Sequence, residues 1–131
     1  MKMRRALLYV AGAVMFFGAV LHVTFWSEYD WGESLNLLGQ QSRGVILALW
    51  IGTIYMSLFN AGISFYMGSR KAFGRLEKML CAYMAGVFGL RIAMGVPLMG
   101  YSAWEVAFEV VCALVALCYL VPLKTAGAVR G

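Results

Sequence analysis

The sequence predicts an all-α fold: a bundle of four transmembrane helices with both termini on the cytoplasmic side. Three observations lead there. Hydrophobic residues make up 63% of the 131 positions and charged residues 13%. A water-soluble chain this short has no core large enough to hide so much apolar surface. Apolar runs long enough to cross ~30 Å of hydrocarbon recur along the chain. The basic residues gather in short clusters beside those runs.

The first span runs over residues 6–26, interrupted only by His22 near its end. The basic start Met1–Arg5 resembles the first part of a signal peptide. The apolar stretch is long for one, however, and no small-x-small cleavage site follows, so the reading is an uncleaved helix. The second span covers residues 44–67 and carries no formal charge. The third covers residues 79–99, with Arg91 inside it and Pro97 in its last turn, where it kinks or ends the helix. The fourth covers residues 103–123 and contains Glu105 and Glu109. All of these belong to one membrane domain, 1–131. The connection 27–43 is the outer loop. In it Trp31, Leu35 and Leu38 recur at helical spacing, which suits either a short surface helix or a partly ordered connector.

Orientation follows from the basic residues. Lys2, Arg4 and Arg5 precede the first span, Arg70, Lys71, Arg75 and Lys78 lie between the second and third, and Lys124 and Arg130 follow the fourth. An even number of spans places all of them on one side, the inside. Trp26, Trp31 and Trp104 fall at the outer interface, where aromatic belts form; Trp50 lies within its span. The formal net charge is +5, and these clusters hold nine of the eleven basic residues. They form no basic face with interleaved aromatics, so nucleic acid is not an expected partner. Cys81, Cys112 and Cys118 fall in apolar runs, no CxxC occurs, and there is one histidine. No metal site is expected, and the cysteines read as small hydrophobes.

Helical spacing also picks out one inward stripe on each span. These are Gly12, Met15, Ala19 and His22 on the first, Thr53, Ser57, Asn60 and Ser64 on the second, and Ala82, Gly86, Gly89 and Ala93 on the third. On the fourth they are Ser102, Glu105, Glu109, Cys112, Ala116 and Tyr119, opposite an apolar face of Val106, Val110, Leu114, Leu117 and Val121. Small residues let helices approach closely, and polar ones bond across helices. The hydroxyls of Thr53, Ser57 and Ser64 can equally bond their own helix carbonyls. The Asn60 amide needs a partner in the bundle.

Charged groups at membrane depth are functional candidates by default. Counting rise per residue puts Glu109 roughly 9 Å, Arg91 roughly 15 Å and His22 roughly 6 Å from the outer end of their helices, with Glu105 one turn above Glu109. The bland expectation is an Arg91–Glu109 ion pair that locks two helices together. The functional one is a polar pocket open to the outer face. Its candidate ligand-binding residues are His22, Arg91, Glu105 and Glu109, with Met15, Phe25 and Trp26 as apolar walls. Asn60, the main strongly polar group of the inner half, completes the candidate set. On this reading one ion pair leaves Glu105 and His22 without a structural purpose.

At His22-x-x-Phe25-x-x-Glu28-x-x-Trp31, and again at Leu58-Phe59-Asn60-Ala61-Gly62, the chain resembles small four-helix bacterial membrane proteins near the DoxX-like group. The resemblance covers about a third of the chain. It implies a bacterial inner-membrane location and an association with quinone or redox partners. The expected function is binding of a lipophilic ligand such as a quinone or lipid. The alternatives are an accessory subunit of a larger membrane complex, with a protein partner or a second copy against its small-residue faces, and a proton-coupled transporter or small membrane enzyme. Small multidrug transporters resemble the chain less, since its first span has no glutamate. The glutathione-using four-helix family pairs arginine, asparagine and glutamate in the second helix, where this chain has only Asn60.

Overall fold

Hydrogen bonding along the backbone closes five helices in order: α1 (Lys2–Glu28), α2 (Trp31–Asn36), α3 (Gln40–Ser69), α4 (Arg75–Met99) and α5 (Ala103–Gly127). The computed structural model describes residues 2–28, 30–71 and 73–127, and no strand occurs among them. The side chains of Phe25 and Glu28, and the whole of Arg130, lie outside the described residues. Helices α1, α3, α4 and α5 are long and apolar enough to cross a membrane. That is the mark of an integral membrane protein.

The helices outrun the apolar segments because good helix formers flank them. Helix α3 starts at Gln40, a full turn before the apolar run, with the Gly39 carbonyl accepting from the Arg43 amide at 3.0 Å. Pro97 does not end α4, which continues to Met99; the helix stops where Gly100 takes φ +81°, a left-handed value glycine adopts without strain. The connection 27–43 carries the short helix α2. It buries Leu35, whereas Leu38 lies beyond its last residue and is exposed.

The chain divides into two compact units, residues 1–11 with 64–131, and residues 12–63. In the first, α4 packs on α5. The buried line on α5 is Glu105, Cys112, Ala116 and Tyr119, with Glu109 half-buried in the same row, and Val106, Val110, Leu114 and Leu117 are exposed. That is the division its spacing predicts, except at its two ends, where Ser102 is exposed and Val121 is half-buried. On α4 the buried line is Cys81, Met84 and Gly95, with Phe88 and Arg91 between them. The small-residue stripe Ala82, Gly86, Gly89 and Ala93 is exposed, which corrects the inward reading of that face. Bulky Met84 and polarisable Cys81 fill the contact better than glycines do, and a methyl built on Gly86 or Gly89 has nothing within 4 Å. Across the unit, Ser64 and the Tyr119 hydroxyl share a 2.6 Å hydrogen bond, with both residues fully buried. The Ser64 hydroxyl thus meets another helix.

In the second unit Gly12, Met15 and Ala19 are buried and His22 is half-buried, one face of α1 as the spacing predicts. The Trp50 indole donates to the His22 carbonyl oxygen at 2.8 Å, and its ring lies 5.6 Å from that of Trp26 and 5.8 Å from that of Trp31. A tryptophan within an apolar span thereby satisfies its one donor. Thr53 donates to the Leu49 carbonyl of its own helix at 2.8 Å. That is the local alternative open to such hydroxyls.

Candidate functional site

The charged residues of α4 and α5 converge because the loop between the two helices is short and each end of it is defined. After Gly100, Ser102 caps α5: its hydroxyl accepts the Glu105 amide at 3.0 Å, and its carbonyl accepts the Val106 amide at 3.0 Å. The cap places Glu105 in the first turn of α5, where the positive end of the helix favours a carboxylate. One turn on stands Glu109. Across from both, eight positions before the end of α4 and so about 12 Å along it, stands Arg91.

Arg91 uses one terminal nitrogen for each carboxylate. Its Nη1 donates to Glu109 Oε1 and its Nη2 to Glu105 Oε1, both at 2.8 Å. Its guanidinium also lies over the Phe108 ring, 4.8 Å from the centroid. The Arg91 side chain keeps 32% of its exposure, those of Glu105 and Glu109 only 10% and 13%. The predicted Arg91–Glu109 contact is therefore present, with an addition: Glu105 is held by the same cation. The expectation that Glu105 lacks a structural purpose is corrected. Two carboxylates one turn apart repel, and a planar guanidinium with two forks relieves that repulsion as a lysine ammonium would not.

Gly95 makes this geometry possible, and the sequence reading passed it over. It lies one turn beyond Arg91 on the same face of α4. A Cβ built there would collide with Glu109 Oε1 and with the Arg91 guanidinium, and would crowd Glu105 Oε1. The signal available in the sequence was its spacing, four residues after the one charge in the span.

The three side chains together carry one negative charge in excess. Glu109 Oε2 is buried and, among the described residues, has no hydrogen-bond donor. A desolvated acceptor of this kind costs free energy until something donates to it. His22 and Asn60 belong to the second unit. His22 donates through Nδ1 to the Gly18 carbonyl, one turn back on α1, at 2.8 Å. Asn60 is buried on α3, 4% exposed. Met15 is buried on α1, and Trp26 lies against Trp50. No group of three or more His, Cys, Asp and Glu side chains among the described residues is arranged to hold a metal ion. No family model, curated protein or solved structure matches the chain.

Proposed function

We propose that this protein is a bacterial inner-membrane binding module with both termini in the cytoplasm, and that Arg91, Glu105 and Glu109 hold the polar head of a lipophilic ligand such as a quinone or lipid. The observation that carries the reading is Glu109 Oε2, a buried carboxylate oxygen with no donor among the described residues. It sits beside a guanidinium that still has about a third of its exposure. An acceptor asks for a donor, so the fitting head is a hydroxyl: a lipid alcohol, or a quinone in its reduced, quinol form. Phe108, whose ring lies under the Arg91 guanidinium, and Trp104, next to Glu105 in sequence, are exposed and suit an apolar tail. The resemblance to DoxX-like proteins points the same way.

The accessory-subunit reading draws on a different observation. Arg91 satisfies an oxygen of each glutamate within the chain, so much of the cluster serves helix packing. One experiment separates the two. The full chain is purified in mild detergent and its bound small molecules and proteins are identified by mass spectrometry. A hydroxyl-bearing lipophile retained by the wild type and lost from Glu109→Gln supports ligand binding. Only bulk membrane lipid, identical in both, contradicts it; a stoichiometric protein partner then favours the subunit reading.

A further inference from the structure

The end of the first unit opposite the Arg91 cluster gathers charge of the other sign, and its arrangement goes beyond what a topology signal needs. Arg4 of α1 donates through Nη2 to the carbonyls of Lys71 at 3.1 Å and Arg70 at 3.4 Å, and its guanidinium lies 4.8 Å from the Phe73 ring centroid. A cation is thereby fixed on the C-terminal end of α3, where free carbonyls favour it. The one acidic side chain between Ser69 and Met79, Glu77, is already engaged. Its Oε2 accepts the Gly74 amide at 2.8 Å, starting α4, and its Oε1 lies 3.7 Å from Arg70 Nε. Lys71 and Arg75 project from the same connection, exposed and without an ion pair among the described residues. Arg4 and Arg5 each keep a buried Nε–H that has no acceptor among the described residues. Beside this cationic surface, Met3, Leu76 and Met79 are exposed at 62%, 58% and 61%.

A surplus of exposed cations around the fixed Arg4, with apolar side chains next to it, fits one kind of occupant: an amphiphile with an anionic head and acyl chains. We propose that the junction of the α1 start with the α3–α4 connection is a binding site for the phosphate of an anionic phospholipid. Lys71 and Arg75 provide the ionic contacts, while Arg4 and Glu77 hold the scaffold. The acyl chains run along Met3, Leu76 and Met79. This site is separate from the Arg91 cluster and does not depend on the function proposed for it.

The test uses the full chain in nanodiscs of phosphatidylcholine containing a minority of phosphatidylglycerol, with retained lipid read by native mass spectrometry. The wild type is expected to retain phosphatidylglycerol in preference to phosphatidylcholine. The Lys71→Gln/Arg75→Gln variant, which leaves the scaffold contacts intact, is expected to lose about thirtyfold of that preference, as removing two near-surface cations from an anionic lipid predicts. Arg43→Gln, which removes a cation from the other unit, is expected to leave it unchanged. A wild type that shows no preference overturns the proposal. So does an Arg43→Gln effect as large as that of the double variant, which would mean a response to net charge without a site.

Discussion

Gly95 stands opposite Glu109 at a point where α4 has no room for a side chain, and the Glu109 carboxylate occupies the space a methyl would take. The glycine is buried in the α4–α5 contact, one turn from the arginine that the same carboxylate binds. Helix packing and charge pairing therefore meet at one position.

Gly95→Ala is accordingly expected to displace the ends of the Glu109, Arg91 and Glu105 side chains and to destabilise the protein by about 1–2 kcal/mol, the cost of weakening their charge-assisted hydrogen bonds. Gly89→Ala, on the exposed face of the same helix, has open space around it and is expected to be neutral or slightly stabilising through helix propensity. Unfolding midpoints of the two variants in one detergent check the contrast. Equal destabilisation would show that the clearance at Gly95 is unimportant.

Arg91→Ala leaves two carboxylates facing each other and is expected to cost about 3–5 kcal/mol. Glu109→Ala should cost less, because Arg91 keeps Glu105. The Arg91→Ala/Glu109→Ala pair should fall short of the sum by about 1–3 kcal/mol in a double-mutant cycle. Additive costs would place the two side chains apart.

Ser64→Ala and Tyr119→Phe each remove the same buried hydrogen bond. Each is expected to cost about 1 kcal/mol, and the double variant less than the sum of the two. Thr53→Ala, whose hydroxyl bonds only its own helix, is expected to cost a few tenths at most. Thermal unfolding of the four variants tests the ordering, and a double variant costing twice the singles would contradict it.

Reporter fusions at Gly74 and after Gly131 should both report cytoplasm, and a fusion near Gly39 the outside. The orientation rests on the basic residues that flank the spans, all but Arg43 and Arg91. An outside signal at Gly74 would reverse it.

Much of the helical architecture was legible in the sequence because apolar length and helical spacing are one-dimensional. The buried face of α5 could be read from the 3–4 spacing of Glu105, Glu109, Cys112, Ala116 and Tyr119. The face of α4 could not. Two stripes lie side by side on that helix, one of small residues and one of Cys81, Met84, Arg91 and Gly95. Spacing alone does not say which one meets a neighbour. Placing Glu105 with Glu109 followed from periodicity. Seeing that one arginine serves both needed the third dimension, since the fork depends on the separation of the helices.

Glu109 Oε2 is a buried acceptor with no donor among the described residues, and the ligand's hydroxyl is proposed to fill that place. Calorimetric titration of the nanodisc-embedded protein with a short-chain quinol, and separately with its quinone, measures this. The quinol is expected to bind, the quinone more weakly, and Glu109→Gln to weaken the quinol by about tenfold, some 1.4 kcal/mol for loss of a charge-assisted hydrogen bond, with unchanged helix content. Equal affinity for quinol and quinone, or a quinol affinity untouched by Glu109→Gln, would contradict the assignment of this carboxylate as the ligand's partner.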